Sequence, residues 1–163
     1  MNISGINKRF DEVVEIYYPL VYRFVYVKLD SVSSVEDICQ EVFFSLYTTK
    51  VQFETELHLK RWLFKVALFR CRGVWRTKWY NHVICIENID IYESNDHQKS
   101  ELEYAVSELP SKYRTLIHLY YFEDLSVKEI SAIVDQKEST ITSALYRARA
   151  MLKKKMKEDY DFE

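Results

Sequence analysis

Two stretches of this chain concentrate the side chains able to do chemistry, and the chemistry they offer is anion binding. Between Lys60 and Lys78 stand seven basic residues (Lys60, Arg61, Lys65, Arg70, Arg72, Arg76 and Lys78) and no acidic one. Between Lys137 and Lys157 stand seven more (Lys137, Arg147, Arg149, Lys153, Lys154, Lys155 and Lys157) against Glu138 alone. The whole chain has a formal net charge of −2, so the remainder is distinctly acidic. Two basic patches on an acidic body suit two contacts with a polyanion. A merely solvated helix face gives the same count. The second stretch adds Ser139, Thr140, Thr142, Ser143 and Tyr146 ahead of Arg147 and Arg149. Hydroxyls and guanidinium groups on one helix donate hydrogen bonds to base edges and phosphates.

Other chemistries find little support. His58, His82, His97 and His118 lack metal-ligand spacing. Gly5 and Gly73, the chain's two glycines, cannot build a phosphate loop. No Ser-His-Asp or Cys-His grouping is legible, although one assembled only in space stays open. Cys39, Cys71 and Cys85 are odd in number and lack CxxC spacing. Reduced thiols of a cytosolic protein fit them better than a disulfide framework or a zinc knuckle. No stretch approaches the roughly 18 apolar residues of a membrane helix, and the N-terminus MNISGINKRF lacks a signal-peptide core. The expectation is a cytoplasmic, non-enzymatic protein without a cofactor and without membrane insertion.

The elements that must position these residues are helical. Gly and Pro number two each, while Leu, Val, Ile, Glu and Lys abound. Apolar residues recur at helical spacing from Lys8 to Leu29, with Pro19 expected to kink or split the helix. Ser33 and Glu36 fit a capping box for a helix to about Tyr47, buried along Val35, Ile38, Val42, Phe43 and Leu46. A third helix spans roughly Leu57 to Lys78 and carries the first basic patch. Periodicity fails from about Tyr80 to Lys99, which reads as a linker. Helices then cover Glu101 to Glu108, Ser111 to Phe122, Val127 to Val134, and Glu138 to about Lys157. The fold class is therefore all-α: two small helical domains, 1–79 and 100–163, joined by a flexible linker, 80–99.

The pair of helices around Asp135 is the most specific local pattern. Ser126 and Glu129 form a capping box, with Leu125 and Ile130 at the staple positions. Asp135 tolerates the left-handed conformation that a tight turn needs. The next helix turns Ile141, Ala144, Leu145, Ala148 and Leu152 inward. Ser139, Thr142, Ser143, Tyr146, Arg147 and Arg149 then face outward. This is a helix-turn-helix, whose second helix enters a major groove. The pattern alone leaves open an ordinary helical hairpin with a lysine-rich end.

At these residues the chain resembles the extracytoplasmic-function group of bacterial sigma factors. VEDICQEVFFSLY (35–47) resembles that family's polymerase-binding helix. LKRWLFKVALFRCRGVWR (59–76) is similar to the segment that reads and melts the minus-10 element. ELPSKYRTLIHLYYFEDLSVKEIS with STITSALYRARAMLKKKM resembles the minus-35-binding domain. The resemblance implies that Asp37, Gln40, Glu41 and Phe44 dock on core RNA polymerase. It implies minus-10 phosphate contacts at Arg70, Arg72, Arg76 and Lys78. Minus-35 contacts fall to Ser139, Thr140, Thr142, Ser143, Tyr146, Arg147 and Arg149. Trp62 and Trp75 read as core, Trp79 as surface. An anti-sigma partner is usual in the family. A free-standing helix-turn-helix regulator and a protein-interaction module without DNA binding are the rival classes. Three departures stand out: Phe69 where the family usually has Asn, Gly73 where Asp is common, and Asp135 with Lys137 in place of Gly and a Ser cap.

Overall fold

The computed structural model describes residues 3, 5–29, 34–82 and 101–160; of residues 75–82 and 158–160 only the backbone course is described. The chain divides into two compact units, Met1–Ile89 and Asp90–Glu163. Among the described residues every regular element is helical.

The first unit is built from α1 (Phe10–Leu29), α2 (Val35–Thr48) and α3 (Glu56–His82), each packed against the other two. Their inward stripes meet: Val13, Tyr17, Val21, Phe24 and Val25 from α1, and Val35, Ile38, Cys39, Val42, Phe43 and Leu46 from α2. From α3 come Leu59, Leu63, Phe64, Ala67, Leu68 and Cys71. Phe24 and Phe64 meet edge-to-face at 5.1 Å, an aromatic arrangement that adds to simple burial. Phe53, in the α2–α3 connection, seals one end against His58 and Trp62. Gly5 has φ +91°, and a Cβ there would lie 2.0 Å from the Phe53 carbonyl oxygen. Only glycine lets the N-terminal segment approach that close.

Three local expectations meet different outcomes. Pro19 does not split α1, which runs unbroken through it. Pro19 and Glu15 are both exposed, so the carbonyl deprived of its donor lies where water serves it. For α2, Ser34 stands at the N-cap without a side-chain cap bond. Ser33, expected to open the capping box, lies outside the described residues. Acidic Glu36 and Asp37 in the first turn still favour the helix start. Finally, α3 continues to His82, past the expected end at Lys78 and into the stretch read as linker. From Val74 to His82 no Pro or Gly interrupts it, and helix once nucleated propagates cheaply. Residues 83–99 of the expected linker lie outside the described residues.

The second unit contains α4 (Glu101–Ser107), α5 (Ser111–Ile117), a π turn (His118–Phe122), α6 (Val127–Val134) and α7 (Glu138–Tyr160). Ala105, Val106, Leu109, Tyr113, Leu116, Leu119, Ile130, Ile133, Ile141, Leu145 and Ala148 are its core. The sequence predicts one α-helix from Ser111 to Phe122; the structure widens its last turn instead. The widened turn encloses a buried pair. His118 Nε2 and Glu123 Oε1 stand 3.3 Å apart, both sealed from solvent. In an α-helix, residues five apart lie roughly 140° apart around the axis. The π turn brings them together, and the Glu123 N–H donates to the His118 carbonyl at 3.2 Å.

The capping box is formed as expected: the Glu129 N–H donates to Ser126 Oγ at 3.2 Å, and the Ser126 N–H donates to Glu129 Oε2 at 2.8 Å. Asp135 ends α6 at φ 56°, ψ 51°, the left-handed turn residue. The Ile141 N–H donates to the Lys137 carbonyl at 3.1 Å, so Lys137 opens α7. Its ammonium group cannot accept a cap hydrogen bond.

Candidate nucleic-acid interface

In the first unit, α2 turns Glu36, Asp37, Gln40, Glu41 and Phe44 outward, opposite its buried stripe. The Phe44 ring is 68% exposed, a large apolar group kept in water amid acidic and amide groups. Such a side chain on a polar rim is the composition of a protein-docking surface.

On α3 the basic residues fare differently. Arg72 is exposed, as a phosphate contact requires. Arg70 is half-buried and engaged. Its Nη1 stands 3.4 Å from Glu41 Oε2, and its Nη2 donates to Ser45 Oγ at 3.2 Å. One residue expected on the nucleic-acid surface is therefore held by one expected on the docking surface. The side chains of Arg76, Lys78, Trp75 and Trp79 lie outside the described residues. Trp62, expected in the core, is half-buried against Phe53 at 5.6 Å. Phe69 is 68% exposed on the same helix as Arg72.

Burial pushes the Cys39 thiol up to about 11 and the Cys71 thiol up to about 12. Both stay protonated near neutral pH, which makes them poor nucleophiles. Among the described residues no cluster of three or more His, Cys, Asp or Glu could hold a metal ion.

In the second unit, the outer face of α7 presents Ser139, Thr140, Thr142, Ser143, Tyr146 and Arg147, all exposed. Thr142 Oγ1 donates back to the Glu138 carbonyl at 3.0 Å, leaving its lone pairs as acceptors. Arg149 is exposed too, but it is engaged. Its Nε–H donates to Tyr121 Oη at 2.6 Å, and its guanidinium lies over the Tyr120 and Tyr121 rings. Lys153, Lys154 and Lys157 are exposed, whereas Lys155 reaches Glu108 at 2.7 Å. That hydrogen bond, with the ammonium charge, holds the Glu108 carboxyl below the ordinary carboxylate range. Sequence reasoning missed the tyrosine pair; its signal was the aromatic run Tyr120, Tyr121, Phe122 at the end of a helix.

The family model "Sigma-70 region 2" matches residues 13–80, and "Sigma-70, region 4" matches residues 99–152. The ECF RNA polymerase sigma factor SigM of Bacillus subtilis is 32% identical over 153 residues, covering 88% of this chain and 92% of that protein. The chain belongs to the ECF sigma factors of the sigma-70 family. The ECF sigma factor SigW of the same organism is 26% identical, across 95% of this chain and 92% of its own. The sigma factor RpoE, solved with the anti-sigma factor NepR from Bartonella quintana, shares the fold. Its TM-score is 0.70 at 24% identity, covering 91% of this sigma factor and 96% of that chain. The region 2 match falls inside the first compact unit and the region 4 match inside the second. This sigma factor serves promoter-specific transcription initiation with RNA polymerase, and its family consists of initiation regulators rather than catalysts.

Proposed function

We propose a division of labour between the two units of this sigma factor. Asp37, Gln40, Glu41 and Phe44 on α2 dock on core RNA polymerase. Arg72, exposed on α3, holds the backbone of the melted minus-10 strand together with Arg76 and Lys78 further along the chain. Single strands are gripped by cations along a backbone and by aromatic rings beneath bases. Phe69 supplies such a ring. The outer face of α7, Ser139 to Arg147, enters the duplex major groove at the minus-35 element. The observation carrying this reading is that face: hydroxyls and Arg147, all in solvent, on a helix opened by the left-handed turn at Asp135.

The residues from 80 to 99 join a minus-10 domain (1–79) to a minus-35 domain (100–163). Two weak DNA contacts then reinforce each other only while polymerase holds both at promoter spacing. The protein itself performs no catalysis, binds no cofactor and works in the cytoplasm; among the described residues no helix is long and apolar enough to cross a membrane. An anti-sigma partner, as in the RpoE–NepR complex, is part of the proposal.

Run-off transcription with core polymerase on genomic fragments, with start sites mapped, tests the whole. Initiation should depend on the added protein, and Asp37→Arg with Glu41→Arg should abolish polymerase capture. Capture that survives this pair, or tight promoter binding by the free chain, would overturn the proposal.

A further inference from the structure

We infer that Tyr120 and Tyr121 are positioning residues for the minus-35 contact and act through Arg149, which ties α7 to the π turn and does not read bases. This rests on the reading of α7 given above.

The geometry sets Arg149 apart from its neighbours on the helix. At roughly 100° per residue, Arg149 sits about 80° around α7 from buried Ile141. Ser139, Ser143 and Arg147 lie between about 160° and 240° on the same wheel, across the outer face, while Thr142, at about 100°, shares the flank of Arg149 two turns nearer the start of the helix. Arg149 shares its flank with Lys153 and Met156. With Tyr121, Phe122 and Leu152 these line a largely apolar groove of about 570 Å³ within the second unit.

There the guanidinium is bracketed. Its carbon lies 5.5 Å from the Tyr120 ring centre and 5.6 Å from that of Tyr121. The two rings meet edge-to-face at 4.9 Å. The Nε–H donates to Tyr121 Oη at 2.6 Å. A guanidinium that lies over two rings, with its Nε–H already donated to one of them, is drawn toward the protein and away from the groove.

The π turn makes this possible. One extra residue in the turn rotates the succeeding side chains by about 100° around the axis. Within the turn His118 and Glu123 are buried together, with the His118 ring stacked on Phe122 at 5.3 Å. The same turn presents two tyrosines to the flank of the reading helix. A tilt of α7 loosens every base contact at once, whereas loss of one reader affects one base position.

That difference is the test. Full-length protein with core polymerase transcribes a mapped promoter, versions of it with single minus-35 substitutions, and one lacking the minus-35 element. Tyr121→Phe keeps the ring and removes the acceptor. It and Arg149→Ala should each raise the holoenzyme concentration for half-maximal transcription by about tenfold, the usual worth of a hydrogen bond to a charged group. The ranking of the substituted promoters should not change, and the template lacking the element should be unaffected. Combining the two changes should cost no more than Arg149→Ala alone. Arg147→Ala, the comparator, should alter the ranking. If Arg149→Ala alters the ranking at one position, or Tyr121→Phe leaves the half-maximum where it was, Arg149 reads DNA itself and the inference is wrong. If Arg147→Ala and Ser143→Ala both leave minus-35 dependence intact, it is the reading of α7 that fails.

Discussion

Arg70 Nη1 and Glu41 Oε2 stand 3.4 Å apart, so the helix expected to meet polymerase and the helix expected to meet DNA grip each other at the two residues assigned those tasks. Ser45, one turn along α2 from Glu41, accepts the second hydrogen bond from the same guanidinium at 3.2 Å. Arg70 therefore links α2 to α3 and has correspondingly less to offer a phosphate.

The pair predicts a coupling. Both side chains are about half in solvent, so a double-mutant cycle of Arg70→Ala and Glu41→Ala on thermal stability should give about 0.2–1 kcal/mol, falling as salt rises. Polymerase capture should respond more sharply. Arg70→Ala should weaken it in the pull-down although Arg70 lies on the other helix, because Glu41 loses its anchor. Capture unchanged by Arg70→Ala, together with a clear loss of minus-10 strand binding, would return Arg70 to the DNA surface.

The two buried thiols predict an alkaline limit to stability. An unfolded chain ionises its cysteines near 9.0, but the folded one keeps Cys39 protonated to about 11 and Cys71 to about 12. Above pH 9 the unfolded state sheds protons that the folded state retains. Stability present below that pH is then lost as pH rises toward 11 to 12. Tyr17 and Tyr18, also raised by burial, push the same way at higher pH. Urea midpoints measured from pH 7 to 10.5 should fall across the upper half of that range. In a Cys85→Ser background, a thiol reagent should label neither remaining cysteine in the native protein and both after denaturation. Rapid native labelling would show that the α2–α3 packing is not as described.

The turn between α6 and α7 predicts opposite responses at its two ends. Ser126→Ala removes a complete capping box and should cost about 1 kcal/mol in urea unfolding of the full chain. Asp135 holds φ 56°, where glycine has no Cβ penalty, so Asp135→Gly should stabilise or leave stability unchanged. Asp135→Val, β-branched and strained there, should destabilise by more than 1 kcal/mol, on the order of the penalty for left-handed backbone. Equal tolerance of Gly and Val at 135 would mean that the left-handed turn does not form.

Much of the molecule was legible because it is decided within one or two helical turns. The stripes of α1, α2 and α7 arise from residues three and four apart, and each buries most of the side chains that its period selects, with Ala144 and Leu152 of α7 half-buried. Ser126 with Glu129, and Asp135 at the turn, are likewise local: each cap needs only neighbours a few residues away. Phe44 could be placed outward because Ile38 and Val42 had to go in. The same local rules left open whether Pro19 would kink or split α1 and placed the end of α3 too early. Exposure of the Glu15 side decided the first, and a run free of breakers the second.

What the amino-acid order determined by itself was therefore where most of the helices lie, which of their faces turn inward, and where the two basic stretches fall along the chain. What only the tertiary structure decided was which outward-facing charges are spent on the protein itself. Arg70 finds Glu41, Arg149 finds Tyr121 and Lys155 finds Glu108 across 29, 28 and 47 positions of chain. His118 and Glu123 meet, both sealed in one core, where the helix widens into a π turn. Such pairings depend on how helices cross, and periodicity along a single helix carries no information about its neighbour's register.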